Sequence, residues 1–254
     1  MQKLISAAIA ALTIGKVAVP SAGPLLPRIG LRLTGASSGY GMPLDDGKIL
    51  GLLDEAYNRG DTVWDTADKY GASEEIIRNW FAANPRKRKD MFLATNFEIR
   101  PSSESPHGYK MDPTPEYCPM VRLKQEGKIN FIGLSECSAE SLRRAHAVHP
   151  IPCVQVEGDI RSRRDVNRPG DSRWVLPWLH EKSINKNMTV LDRISDIAKR
   201  KDVTSTAQLA LAWIFAQGDD ILTIPGTTKV ERLEENLGSV SIHVSADEER
   251  SLGN

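Results

Sequence analysis

Short apolar runs alternate with amphipathic helical stretches along most of this chain, and that alternation constrains the fold more than any single residue. After Asp45 and Asp46, the residues Ile49, Leu52, Leu53, Ala56 and Tyr57 recur on one helical face, and Gly60 marks a stop. Residues 62–66 then read as a short strand. Ser73, followed by Glu74 and Glu75, is expected to cap a helix that buries Ile76, Ile77, Trp80 and Phe81. Residues 91–95, 129–134 and 153–156 read as further strands, with Ser138 capping a helix whose Leu142 and Ala145 face inward. Thr204 opens a helix carrying Leu209, Ala212, Trp213 and Ala216, which Gly218 ends. Residues 221–224 form a last strand before an amphipathic helix at 230–237, and Ser245 with Glu248 makes a capping box. Strands that alternate with helices in this way pair in parallel. The predicted fold class is α/β, and 254 residues suit a single domain over 1–254.

Composition excludes several partners. Lysine plus arginine number 33, equal to aspartate plus glutamate, so no net field draws the chain to nucleic acid or to an acidic membrane. Cys118, Cys137 and Cys153 lack CxxC spacing and read as reduced, buried small residues of an intracellular protein. Lys3 and the apolar run at 4–14 form an extra N-terminal segment (1–14) that resembles a signal-peptide core but is too short to span a bilayer. The expected location is the cytoplasm, with secretion as the alternative. Two stretches break the rhythm. Residues 98–119 hold five prolines, and residues 158–187 cluster Arg161, Arg163, Arg164 and Arg168, which read as a solvated loop.

The candidate chemistry lies at residues 61–70. An apolar run there ends in Asp65, and Tyr70 follows five residues later. In a barrel of alternating strands and helices, side chains at the carboxyl ends of strands face the active site. A carboxylate and a phenol placed there suit proton transfer to a carbonyl oxygen.

Five separated motifs, in order, carry a resemblance. They are Gly30-Leu31-Arg32-Leu33-Thr34-Gly35, Trp64-Asp65-Thr66-Ala67-Asp68-Lys69-Tyr70-Gly71, the run from Gly127 to Glu136, Val154-Gln155-Val156-Glu157, and Ile224-Pro225-Gly226-Thr227-Thr228-Lys229. With them the chain resembles the aldo-keto reductases, and most closely the fungal and plant reductases of aldehydes and ketones. The resemblance implies a (β/α)8 TIM-barrel fold, NADP as cofactor, no metal, and reduction of a small-molecule aldehyde or ketone, with secondary metabolism as the expected setting. It implies Tyr70 as proton donor and Asp65 as its support. Ser135 and Gln155 would hold the nicotinamide carboxamide. Gly226, Thr227 and Thr228 would take the phosphates, Lys229 and Arg232 the 2′-phosphate, and Glu235 with Asn236 the adenine.

The chain also departs from the family pattern. Where the family has a lysine that helps the tyrosine release its proton, this chain reads Leu93-Ala94-Thr95-Asn96-Phe97, and Asn96 carries no charge. Lys69, next to Tyr70 on a loop, is expected to point elsewhere. The substrate-orienting histidine has no counterpart, because His107, His146, His149, His180 and His243 all read as surface or helix-face residues. Two βα units are missing, one before Met120 and one after Glu157, which leaves about six of eight strands. A catalytically impaired, non-enzymatic NADP-binding or regulatory relative of the same fold is therefore the alternative reading.

Overall fold

The computed structural model describes residues 16–18, 23–37, 45–104, 109–111, 119–156, 181–203 and 205–253. The apolar segment 1–14, the cluster Arg161 to Arg168, Glu157, Thr204, Cys118, His107 and His180 lie outside them. The strands are β1 (Lys16–Ala18), β2 (Leu25–Pro27), β3 (Leu31–Arg32), β4 (Val63–Ala67), β5 (Phe92–Asn96), β6 (Ile99–Pro101), β7 (Tyr109–Met111), β8 (Gly133–Ser135) and β9 (Cys153–Gln155). The helices are α1 (Thr34–Ser37), α2 (Asp46–Asn58), α3 (Ser73–Ala83), α4 (Met120–Gln125), α5 (Ala139–Val148), α6 (Glu181–Arg200), α7 (Thr206–Ala216), α8 (Val230–Gly238) and α9 (Ala246–Gly253). The chain divides into two compact units. One takes in Leu26–Thr95 and the C-terminal part from Ile160, and the other takes in Asn96–Asp159.

In the first unit, β3, β4 and β5 form a three-stranded sheet. Strands β3 and β4 run parallel, with Leu31 opposite Trp64 and Arg32 opposite Asp65. Every residue of β4 is buried. Gly30 permits this pairing, since a Cβ there would lie 2.3 Å from the Val63 carbonyl oxygen. The Asp45 carboxylate accepts the Lys48 amide at the start of α2, and Gly60 closes its end at φ +82°. Ile49, Leu52, Leu53 and Ala56 turn inward as their spacing predicts. They join Ile29, Leu31, Trp64, Ile76, Ile77 and Trp80 in one core, while Tyr57 and Phe81 pack at its edge. A second core lies between α6, α7 and α9, around Ile194, Ile197, Leu209, Ala212 and Leu252. The reciprocal bonds of the Ser245–Glu248 capping box are present at 2.9 and 3.3 Å.

Two local expectations need correction. Ser73 does not cap α3: it is the first helical residue, and its hydroxyl is taken by Thr66 at 2.7 Å. Residues 221–224 do not form a regular strand. The chain there makes only isolated parallel bridges, Thr223 with Ile29 just before β3 and Gly226, beyond the segment, with Arg32 of β3. Pro225 interrupts it, having no amide to donate to a ladder. Arg28 ties the segment down by donating to the carbonyls of Ile221 at 3.2 Å and Phe215 at 2.9 Å.

Asp61 lies fully buried at the start of this strand region, and neither carboxylate oxygen meets a hydrogen-bonding partner of normal geometry among the described residues. Burial pushes its carboxyl well above the usual carboxylate range, and the Val63 amide offsets this only in part. A raised folded-state value favours folding at low pH, and that contribution is lost as pH rises through it. Asp61→Asn is therefore expected to flatten stability against pH above about pH 4 and to raise Tm near neutrality by about 2–4 °C. Thermal unfolding across pH checks this, and a lower Tm near neutrality would contradict it.

The second unit has little core. Strands β6 and β7 pair antiparallel within the proline-rich stretch, a pairing that the sequence pattern does not announce. Strands β8 and β9 pair in parallel with Ser135 opposite Gln155. The strand expected over 129–134 is shorter, in part because the Lys124 ammonium takes the Asn130 carbonyl at 2.9 Å. Ser138 caps α5 as expected, accepting the Ser141 amide. Ile132 is the one buried apolar side chain among this unit's described residues. Cys137 is half-buried and Cys153 exposed, so the buried positions expected for them are not found. No helix among the described residues is long and apolar enough to cross a membrane.

Candidate active site

The first unit gathers a tyrosine, an aspartate and an arginine. Asp65 sits in the middle of β4 rather than at its end, with only 1% of its surface exposed. The chain then turns sharply: the Tyr70 amide donates to the Ala67 carbonyl at 3.0 Å, and Gly71 adopts φ +57°. This turn folds Tyr70 back until it is 3% exposed. Arg32, directly across from Asp65 in the β3–β4 register, holds both groups. Its Nε lies 3.4 Å from Asp65 Oδ1. Its Nε and Nη2 donate to Tyr70 Oη at 3.0 and 2.5 Å, and its Cζ lies 5.6 Å from the ring centroid. Lys69 is exposed, in keeping with its expected direction.

Arg32 does not stand out in the sequence as the partner of these two groups. The available signal was a charged side chain inside an apolar strand, which must find a partner when its strand is packed.

The same unit carries the loop expected to take phosphates. Gly226 faces Arg32 across the bridge, and a Cβ there would lie 3.2 Å from the Arg32 carbonyl oxygen. Thr227 Oγ1 accepts the Lys229 amide at 3.1 Å. Lys229 is the N-cap residue of α8, and no side chain caps that end. The helix start opens on a depression of about 890 Å³ lined by Lys48, Thr228, Lys229 and Arg232 together with Glu55 and Glu231. Arg232 pairs with Glu235. The other Glu235 oxygen, Oε1, is buried with no partner among the described residues. Asn236, next along α8, is half-buried, and its carbonyl accepts the Ser239 hydroxyl at 2.5 Å.

In the second unit, Ser135 and Gln155 end β8 and β9 side by side. Asn96 joins them, its carbonyl oxygen accepting the Ser135 hydroxyl at 3.1 Å and its amide donating to Gln155 Oε1 at 3.5 Å. Asn96, expected at the position of the family's lysine, is thus built into a cluster of polar groups. His146 and His243 are exposed and His149 half-buried, in keeping with surface and helix-face positions.

The model of the aldo/keto reductase family matches residues 33–118 and 158–252. The chain belongs to the aldo/keto reductase family. Aldo-keto reductase str7 of Strobilurus tenacellus is 32% identical over 291 residues, covering 87% of this chain and 84% of the relative. Aldo-keto reductase yakc [NADP(+)] of Schizosaccharomyces pombe (strain 972 / ATCC 24843) is 32% identical over 294 residues, covering 87% and 85%. Both alignments are longer than the 254 residues of this chain, so these relatives carry segments with no counterpart here. Among solved structures, the thermostable aldo-keto reductase Tm1743 is similar at TM-score 0.69 and 24% identity, covering 93% of this chain and 98% of that one. The glycerol dehydrogenase AKR11B4 of Gluconobacter oxydans reaches TM-score 0.76 at 17% identity, covering 95% of each. The fold of this aldo/keto reductase is accordingly of the α/β, (β/α)8-barrel type.

Proposed function

We propose that this aldo/keto reductase is an NADP-linked enzyme that reduces a small-molecule aldehyde or ketone to an alcohol, in a secondary-metabolic setting. The observation that carries the proposal is the grouping of Tyr70 and Asp65 on one arginine, in the unit that also holds the uncapped start of α8. The residues present fit the cofactor. An uncapped helix start whose depression is lined by Lys48, Lys229 and Arg232, against the carboxylates of Glu55 and Glu231, suits phosphate groups. The orphaned Glu235 Oε1 is an acceptor suited to an adenine amino group, with Asn236 beside it. The naming of the yakc relative as NADP(+)-linked agrees with this choice.

NADPH, when bound, supplies a hydride to the carbonyl carbon. Tyr70 gives its phenolic proton to the carbonyl oxygen, which completes the alcohol and leaves a tyrosinate. Asp65 holds the group that faces that tyrosinate. Solvent then returns the proton to Tyr70.

Lys229→Ala combined with Arg232→Ala is expected to weaken NADPH binding by about 10- to 100-fold and NADH binding by far less, because charge-assisted bonds to the extra phosphate are lost. Cofactor fluorescence titration measures both. Equal losses for the two cofactors would contradict the assignment.

A second reading, a cofactor-binding relative without turnover, is favoured by the burial of Tyr70 and by Asn96 in place of a lysine. Tight NADPH binding without oxidation across a panel of aldehydes and ketones would establish it.

A further inference from the structure

We infer that Arg32 supplies the positive charge on which Tyr70 depends for proton transfer, a role that rests on the reductase reading above. Three observations converge on it. Arg32 donates two hydrogen bonds to the Tyr70 oxygen. It pairs with the buried carboxylate of Asp65, the group expected to support Tyr70. Its backbone lies between Asp65 on one side and Gly226 of the phosphate loop on the other.

The chemistry of the guanidinium then fixes what each group can do. Arginine has donors only and keeps its charge at any working pH. It cannot take the phenolic proton, so that proton must be directed to another acceptor. Once the proton has passed to a carbonyl oxygen, the negative charge left on Tyr70 Oη faces two N–H groups already in place. Charge-assisted donors held in place in this way are stronger than neutral ones. Asp65, buried and opposite in register, orients the guanidinium. Arg32 keeps about a third of its side chain exposed (31%) while Tyr70 is covered, so the arginine is the solvent-facing edge of the group.

The test uses the full chain, NADPH and a carbonyl substrate that the wild type reduces. Arg32→Ala is expected to lower kcat by about 10- to 100-fold, with the NADPH dissociation constant within about twofold. Added guanidinium ion should restore at least part of the Arg32→Ala rate and none of the rate lost in Tyr70→Phe. Arg32→Lys should exceed Arg32→Gln, and this pair is read instead if Arg32→Ala does not fold. An Arg32→Ala rate equal to or above that of the wild type would overturn the inference, the latter by showing the guanidinium to be a cover. A loss that neither guanidinium nor lysine relieves would also overturn it, by showing a purely structural role. A wild type that binds NADPH but turns over no carbonyl would overturn the reductase reading itself, and this inference with it.

Discussion

Replacing Tyr70 with phenylalanine is expected to lower carbonyl reduction by about 100- to 10,000-fold, the usual range for losing an acid catalyst. The substitution removes one oxygen and leaves the ring, so the packing of the turn after β4 should survive. Tyr70 is 3% exposed, and its ring supports the Arg32 guanidinium at 5.6 Å, an interaction that phenylalanine retains in part. The loss should therefore fall on kcat, with NADPH affinity unchanged, because the phosphate loop and α8 do not depend on the hydroxyl. Steady-state kinetics alongside cofactor fluorescence separates the two effects. A Tyr70→Phe variant that keeps more than about a tenth of the rate would remove Tyr70 as the donor.

The largest expected effect on stability comes from the residue just before Asp65. Trp64 is fully buried in the first unit's core. Its ring meets Trp80 edge-on at 4.8 Å and stacks on Phe81 at 6.3 Å. Trp64→Ala would remove the largest side chain of β4 and leave a cavity that Trp80 and Phe81 cannot fill, since Trp80 is held by its bond to Asp54 at 2.9 Å. The expected cost is about 3–5 kcal/mol, which lowers Tm by roughly 10 °C or more in a chain of this size. Trp64→Phe should recover much of it. Because neighbouring residues of a strand point to opposite faces, any folded fraction of Trp64→Phe should keep its kcat. A thermal shift of less than about 3 °C for Trp64→Ala would mean that the core is not packed as described.

Local features were the legible ones. The Ser245–Glu248 box, the Ser138 cap and the inward face of α2 depend on residues a turn or so apart, and the structure holds all of them. What was not legible depends on pairing between distant segments. Ser73 looked like a cap but is drawn to Thr66, a partner that only the turn after β4 brings near. Residues 221–224 looked like a strand, yet Pro225 and the approach of Gly226 to β3 reduce the pairing to single bridges.

The candidate site divides along the same line. Tyr70 and Asp65 stand out because they lie in one motif, whereas Arg32 becomes their partner only through the β3–β4 register, across more than thirty residues of chain. Asn96 reads as a lost charge in the sequence. Its bonds to Ser135 and Gln155 depend on where β8 and β9 end, which no local pattern sets.

The most direct measurement uses NADPH carrying deuterium in place of its transferable hydrogen, incubated with the protein and a panel of aldehydes and ketones, with products read by mass spectrometry. The expected product is an alcohol labelled once, on the former carbonyl carbon, formed by the wild type and nearly absent with Tyr70→Phe. Bound NADPH with no labelled alcohol from any carbonyl would contradict it.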